Sequence, residues 1–393
     1  MQPRYLSVFA TAVLCYAALG AVLGILPDYV HSLGGGAVLV GLAVGAPALT
    51  GAAGRPLGGR LADRVGPPRI MIAGALVMSA GTLPAFVHSL PVLIASRLVV
   101  GAGEASMMAA AVLWLLRLAG PERRGRAMGH VGLANYAGLT VGPLLSQALS
   151  GQAHTARVWL TAAVLPLIAA VFAAVLGRNP DRGIAPDTPV ADERPDESAE
   201  AKLSTLRATF RPGLGLMLVN FGYVAVLSFG AAAAAEQGTG IGSLVIPVFG
   251  AGVIASRTIL AGIPDRFGAP RTLLAAVALE SAGLAGMAAA TSSPVALVAL
   301  LVMALGQGLA VPSLGLLALA SVPPSRHGRT AGAFFAYFDA GVGLGGPAIG
   351  LAARAADPTG GLFAAAGAVL LTAPVALLAR PALGRFERRR AWA

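Results

Sequence analysis

Twelve long apolar stretches, separated by short segments rich in glycine, proline and charge, constrain this chain more than any other feature. Hydrophobic residues make up 56% of the chain and charged residues only 11%, whereas about 25% is typical of soluble domains. A helix needs about 20 apolar residues to cross a hydrocarbon core of about 30 Å. The sequence therefore predicts a protein that crosses a membrane many times, which excludes an ordinary soluble enzyme.

The first apolar run follows Arg4 and is too long for the apolar region of a cleavable signal, so it is predicted to be the first span. The predicted spans are residues 5–28, 37–58, 69–88, 91–118, 126–150, 157–177, 211–236, 240–260, 271–290, 293–320, 327–353 and 359–380.

Basic residues are distributed unevenly between the predicted loops. With the N-terminus in the cytoplasm, 25 of the 28 Lys and Arg residues fall on the cytoplasmic side, Arg55 and Arg257 among them. Arg157 and Arg354 fall outside, and Arg97 lies within the membrane. Because cytoplasmic loops collect basic residues, both termini are predicted to be cytoplasmic. The same bias explains the net charge of +11 without nucleic acid, and it predicts anionic phospholipids of the inner leaflet as partners.

One segment departs from the apolar pattern. Residues 178–210 contain seven acidic residues and four prolines, a composition typical of a solvated linker. The sequence therefore predicts an N-terminal six-helix bundle at 1–177, a cytoplasmic linker at 178–210, and a C-terminal six-helix bundle with a basic tail at 211–393.

Three short motifs recur in order in the two predicted halves. Residues 63–69 match 265–271, residues 121–126 match 324–329, and the Gly-Pro pair at 142–143 matches that at 346–347. The offset changes only from 202 to 204, and duplicated bundles are typical of secondary transporters. The predicted fold is thus all-α, with twelve transmembrane helices in two six-helix bundles related by a pseudo-two-fold repeat.

Residues 59–66, which read Gly-Arg-Leu-Ala-Asp-Arg-Val-Gly, resemble the loop signature between the second and third spans of the major facilitator superfamily. The resemblance covers essentially the whole chain and implies transport by alternating access. At 67–68 this chain has two prolines where the family usually has a basic pair. The gating candidates are Gly59, Asp63, Arg64, Gly66, Asp265 and Arg266. The alternative is a charged turn that only sets topology.

The fourth predicted span carries ionisable groups, which are costly inside a membrane and mark functional sites. Arg97, Gly101 and Glu104 follow at i, i+4 and i+7, so both charges are expected on one helical face, about 10 Å apart, lining one cavity. The run at 93–103 also resembles the family's fourth-span motif, whose arginine is associated with proton coupling in exporters. Glu104 is a candidate for binding a proton or a cationic substrate group; the alternative is a static ion pair with Arg97 or with another helix.

The fifth predicted span resembles the antiporter motif of drug/proton exporters in the superfamily. Gly129, Gly138, Gly142 and Pro143 reproduce its spacing, but Ser146 and Gln147 replace its closing glycines. The alternative is ordinary close packing of small residues between helices.

Asp339, after an aromatic-rich run in the eleventh predicted span, is a second candidate carboxylate for proton or substrate. Glu280 is assigned outside the cavity, since the ninth helix of this superfamily is usually peripheral. The remaining cavity candidates are Asn135, Tyr136, Asn220, Tyr223 and Gln307.

The histidines are scattered, and with a single cysteine the sequence predicts no enzyme, no metal site and no cofactor. We predict a monomeric secondary transporter of the bacterial cytoplasmic membrane that exports a small amphipathic organic compound in exchange for protons. One alternative is proton symport or facilitated uptake of a sugar or organic acid. Another is a receptor or structural partner that transports nothing.

Overall fold

The structure is a computed structural model that describes residues 3–119, 124–149, 154–177, 199–320, 322 and 327–374. Helices account for most of these residues, and no strand occurs among them. The first half contains α1 (Pro3–Leu23), α2 (Leu26–Ser32), α3 (Ala37–Val65), α4 (Pro67–Thr82), α5 (Leu90–Ala119), α6 (Arg124–Ala148) and α7 (His154–Gly177). The second half contains α8 (Ala199–Glu236), α9 (Val245–Ile259), α10 (Ile263–Phe267), α11 (Ala269–Ala288), α12 (Ser293–Leu319), α13 (His327–Ala355) and α14 (Pro358–Leu370).

Ten helices in the described parts of the chain are long and apolar enough to cross a membrane. They match ten of the predicted spans. The other two predicted spans correspond to α6 and to α14, which has 13 residues. The prediction of an all-α membrane protein is confirmed.

Several element boundaries differ from the predicted ones. The first predicted span divides into α1 and α2 near Pro27, which lacks the N–H needed to continue a helix. Helix α3 continues to Val65, seven residues past the predicted end, and therefore contains Arg60, Asp63 and Arg64 as well as Arg55. Helix α8 begins at Ala199, inside the predicted linker, of which residues 178–198 lie outside the described chain.

The helices pack as two bundles that meet along two pairs of helices. The first bundle contains α1 and α3–α7, and the second contains α8, α9 and α11–α14. Between the bundles, α3 packs on α13 and α6 packs on α9. We call the end of the molecule that carries Gly66 and Gly268 the loop side, and the opposite end the far side.

The bundles are in close contact on the far side. Gly41 of α3 lies against Gly346 of α13, so closely that a Cβ on either residue would overlap the other backbone. Gly350 approaches α3 in the same way. Gln147, near the end of α6, donates a hydrogen bond to the Ser243 carbonyl at 2.5 Å. Small residues thus close the far side by backbone contact.

Candidate transport cavity

A cavity of about 600 Å³ lies between the bundles, toward the loop side. Its walls come from α5 and α6 of the first bundle and from α9, α12 and α13 of the second, with Arg55 of α3. Most of the lining is apolar, and three phenylalanines of α13 contribute to it: Phe334, Phe335 and Phe338. The volume and the few polar groups are typical of a site for a small organic molecule.

An ion pair connects the bundles beside this cavity. Nη2 of Arg55 on α3 lies 2.8 Å from Oδ1 of Asp339 on α13. Asp339 is only 2% exposed, and its carboxylate lies beside Gly51, one turn before Arg55. A buried carboxylate needs such a partner, since an unpaired charge there would be costly.

Glu104 joins the same cluster from α5. The Tyr16 hydroxyl of α1 donates a hydrogen bond to its Oε1 at 2.5 Å, and Nη2 of Arg55 lies 3.9 Å from that oxygen. Arg55 therefore brings together two carboxylates that the sequence predicted as separate candidates.

Arg97 lies away from this cluster. Its Nε donates to the Ala43 carbonyl at 3.1 Å, the residue is 3% exposed, and it does not line the cavity. The expectation that Arg97 and Glu104 line one cavity does not match this arrangement. Gly101, between them on α5, packs directly on α3 at Pro47, so α3 fills the space in front of that helical face.

The other predicted polar residues fall into two groups. Asn135 and Tyr136 line the cavity, and Tyr223 packs edge-on to Tyr136 with ring centroids 6.4 Å apart. Asn220 and Gln307 are fully buried within the second bundle. Asn220 donates to the Leu216 carbonyl of its own helix at 3.0 Å.

Gln307 faces Glu280 rather than the cavity. With its amide oriented as a donor, Gln307 is 2.9 Å and 3.2 Å from the two Glu280 oxygens. Glu280 is fully buried and does not line the cavity.

The sequence reasoning missed the roles of two arginines, Arg55 and Arg257, because it counted both as cytoplasmic charges. Arg257 lies within α9 and lines the cavity, with its guanidinium 4.7 Å from the centre of the Tyr136 ring. A signal was available: both arginines lie inside the predicted spans 37–58 and 240–260. A charge within a span favours an interior site over a loop.

The predicted gating residues lie on the loop side. Asp63 faces Arg117 of α5, with 3.4 Å between Oδ1 and Nη2, and both side chains are exposed. Gly66 and Gly268 have φ angles of +102° and +83°, which favour glycine at these two turns.

The remaining members of this group make few contacts. Gly59 has open space around its Cα, and Arg64 and Asp265 are exposed. Arg266 stacks on Phe267 at 5.6 Å.

The antiporter-type motif lies on α6 where that helix crosses α1. A Cβ on Gly138 would overlap Tyr16 and Ala17, and one on Gly142 would overlap Ala21. Pro143 is inside α6, and Gly129 lies earlier on the same helix. The glycines thus pack α6 directly on the part of α1 that carries Tyr16.

Two helical bundles that enclose a mostly apolar cavity and close it at one end define a membrane transporter. The family model of the Major Facilitator Superfamily matches residues 8–346 of the sequence. The chain therefore belongs to this superfamily. An uncharacterized MFS-type transporter of Burkholderia mallei (strain SAVP1) is 32% identical over 354 residues, covering 88% of this chain and 84% of that protein. Another, from Salmonella typhimurium strain LT2, is 31% identical over 349 residues, covering 86% of each chain.

Solved structures show the same fold at low sequence identity. A crystal structure of a mutant of the nucleoside transporter NupG has a TM-score of 0.77 at 14% identity and covers 96% of this chain and 100% of that one. A bacterial homolog of the human lysosomal transporter Spinster, in an inward-facing and unoccupied conformation, has a TM-score of 0.74 at 16% identity. It covers 97% of this chain and 98% of that one. The family match and the two relatives confirm the prediction of the superfamily.

Proposed function

We propose that this chain couples the movement of protons to the export of a small amphipathic organic compound, in the cytoplasmic membrane of a bacterium. The observation that carries the proposal is the ion pair between Arg55 and Asp339, because it joins the two bundles. Alternating access moves one bundle against the other around a central site. Such a contact between the bundles forms in only some of the conformational states, so it can link the protonation of Asp339 to the movement of the bundles.

Asp339 is the proposed proton carrier. Tyr16 and Glu104 belong to the same bundle as Arg55, so their contacts are retained when the bundles move. Asp339 lies on the other bundle, and movement of α13 away from α3 removes its only basic partner among the described residues. A carboxylate that loses its cation in a dry site takes up a proton.

The conformation described above is proposed to be the inward-facing one. The loop side carries the predicted cytoplasmic turns at Gly66 and Gly268, and the basic residues of the sequence favour the cytoplasm for that side. The cavity then receives cargo from the cytoplasm while Asp339 is ionised and paired. Anionic lipids of the inner leaflet would contact the exposed arginines of that side.

Export in exchange for protons is favoured by the spacing of Gly138, Gly142 and Pro143, and by their close packing on α1. A second candidate is proton symport of an organic acid, because Arg257 gives the cavity wall a positive charge. The two differ in the direction of proton movement when cargo binds. Exchange requires that cargo displaces a proton, and symport that cargo and proton bind together.

The test uses proteoliposomes with an acidic interior and an enclosed pH indicator. Three naphthalene probes of similar shape are added outside: 1-naphthalenesulfonate, 1-naphthalenemethanol and (1-naphthylmethyl)trimethylammonium. The variant is Asp339→Asn. The matched control is Asp28→Asn, which removes an exposed carboxylate on α2, and protein-free liposomes report passive leakage.

We expect at least one probe to release internal protons through the wild type and the Asp28→Asn control, with a rate at least about tenfold lower for Asp339→Asn. Proton entry with the probe instead of release would favour symport. Equal rates in wild type and Asp339→Asn would contradict the role of Asp339. No proton movement with any probe would contradict proton coupling and favour facilitated uptake or the non-transporting receptor.

A further inference from the structure

We propose that Arg257, together with Tyr136, binds a negatively charged group, so that the cargo is an amphipathic organic anion. The inference rests on the proposed transport through this cavity but not on the direction of transport. It assigns the polar end of the cargo to the wall formed by α6 and α9, and the apolar end to the aromatic wall formed by α13.

The charge of the cavity lining favours an anionic ligand. Its titratable side chains in the described chain are those of Arg55, His130, Arg257 and Tyr136, and no Asp or Glu lines it. Glu104 and Asp339, the nearest candidates for binding a cation, are 7% and 2% exposed and are held by Tyr16 and Arg55. The lining therefore offers positive charge and little negative charge to a ligand.

Of the two arginines, only Arg257 has no carboxylate partner among the described residues. Arg55 is neutralised by Asp339 at 2.8 Å. Within the described residues, no carboxylate lies within 4.0 Å of the Arg257 guanidinium, which instead stacks on the Tyr136 ring. A guanidinium fixed by stacking keeps its N–H groups available for an anion.

Buried polar atoms without hydrogen-bond partners also indicate a ligand site here. Nε of Arg257, the Tyr136 hydroxyl and Oδ1 of Asn135 make no hydrogen bond within the described chain. Tyr136 is only 3% exposed, and an unsatisfied buried polar group costs free energy. All three residues line the cavity, so a bound ligand can satisfy them. Arg257 and Tyr136 supply N–H and O–H donors, which an anion accepts. The Asn135 oxygen is an acceptor and takes no part in binding the anion.

The backbone of α6 also leaves space for the arginine. A Cβ on Gly132, one turn before Tyr136, would lie 3.1 Å from Nη1 of Arg257. Glycine at this position therefore gives the guanidinium more room between α6 and α9 than a residue with a Cβ would. The helices meet here as members of different bundles, so an anion bound to both would contact each bundle.

The apolar part of the cargo would contact Ile254, Leu133 and the aromatic side chains Phe334, Phe335 and Phe338, which line the same cavity. Aromatic walls and a volume of about 600 Å³ suit one or two fused rings or a short branched chain. A sugar would leave this apolar surface unused. The positive charge of Arg257 and the apolar lining together favour an amphipathic anion as cargo.

The test is equilibrium binding to purified full-length protein in detergent, followed by naphthalene fluorescence, with the three naphthalene probes named above. The variants are Arg257→Gln, Arg257→Lys and Tyr136→Phe. The matched control is Arg207→Gln, which removes an exposed arginine at the start of α8, away from the cavity. Size-exclusion profiles and melting temperatures establish that each variant is folded.

We expect the sulfonate to bind at least about tenfold more tightly than the alcohol or the ammonium probe, because binding pairs a charge that is otherwise uncompensated. Arg257→Gln should remove that preference, Arg257→Lys should keep part of it, and Tyr136→Phe should weaken sulfonate binding several-fold. The Arg207→Gln control should bind all three probes as the wild type does.

Tighter binding of the ammonium or the alcohol than of the sulfonate would overturn the inference. A sulfonate affinity that is unchanged in folded Arg257→Gln and Arg257→Lys would also overturn it. The assay uses no gradient, so it is independent of proton coupling. Selective sulfonate binding without proton movement in liposomes would support the anion site and contradict the proposed coupling.

Discussion

Arg55 and Asp339 are 284 residues apart in the sequence and form a 2.8 Å ion pair across the two bundles. Arg55 lies inside α3, which continues as a helix to Val65. Asp339 lies opposite Arg55 because α13 packs along α3. Arg55 also lines the cavity, whose walls are mostly apolar.

Removing both charges of this pair should destabilise the protein by less than the sum of the two single removals. We expect Arg55→Gln and Asp339→Asn each to destabilise the protein by about 1–3 kcal/mol, because each leaves a buried charge with less compensation. The double variant should lose less than the sum, with a coupling free energy of about 1 kcal/mol or more. The measurement is thermal unfolding of the four proteins in one detergent.

Glu104 provides the internal comparison for this cycle. Its distance to Arg55 is 3.9 Å, and the Tyr16 hydroxyl supports it independently. A cycle between Arg55→Gln and Glu104→Gln should therefore give a smaller coupling. Additive losses for Arg55 and Asp339 would show that the pair makes no stabilising contact in the folded protein.

Gly142 should not tolerate even one added methyl group. Its Cβ would overlap the Ala21 backbone, so Gly142→Ala should lower the melting temperature and weaken transport, at a cost of about 1–3 kcal/mol. The matched control is Gly367→Ala on α14, where no atom lies within 4 Å of the added Cβ. That control should be neutral or slightly stabilising, since alanine favours a helix by up to about 1 kcal/mol. Equal melting temperatures for the two variants would contradict the close contact of α1 and α6.

Asp63 and Arg117 should affect transport rate more than stability. Their side chains are 64% and 42% exposed, and exposed ion pairs contribute less than about 1 kcal/mol. We expect Asp63→Asn and Arg117→Gln to lower turnover in proteoliposomes to a similar extent, the double variant to lower it no further, and the melting temperatures to stay unchanged. Losses of turnover that add up in the double variant would show that the two residues act separately.

Much of the fold follows from the sequence because the bilayer limits the choices. An apolar run of sufficient length forms a helix, since no water is present to satisfy a free backbone. The internal repeat then indicates two similar bundles. The helix ends were less predictable: the charged residues Arg60, Asp63 and Arg64 follow the predicted end of the span, but α3 continues through them to Val65.

The site was only partly predictable, because helical spacing gives the face of one helix and not what lies opposite. Arg97 and Glu104 share a face of α5, yet Arg97 binds the Ala43 carbonyl while Glu104 binds Tyr16. The partner of Glu104 and Asp339 comes from α3, at a position that the sequence assigned to topology. Packing between distant helices decides such pairings, and no local pattern encodes it.

Glu280 is the remaining deeply buried carboxyl group, and its surroundings favour a structural role. It is fully buried, Gln307 is its hydrogen-bond partner, and no basic side chain of the described residues lies within 4.0 Å. An uncompensated charge there would be costly. We therefore expect Glu280→Gln, which keeps the shape and can accept a hydrogen bond from Gln307, to change stability by less than about 1 kcal/mol and to leave proton movement unchanged.

Glu280→Ala should behave differently, because it opens a cavity and leaves Gln307 without its partner. A loss of about 2–4 kcal/mol is expected from the cavity and the unsatisfied amide together. Thermal unfolding and the liposome proton assay on the same two variants separate the roles. A structural residue loses stability in the alanine variant and keeps proton movement in the glutamine variant. If Glu280→Gln folds normally but no longer moves protons, then Glu280 carries a proton, and a path through the second bundle must connect it to the pair of Arg55 and Asp339.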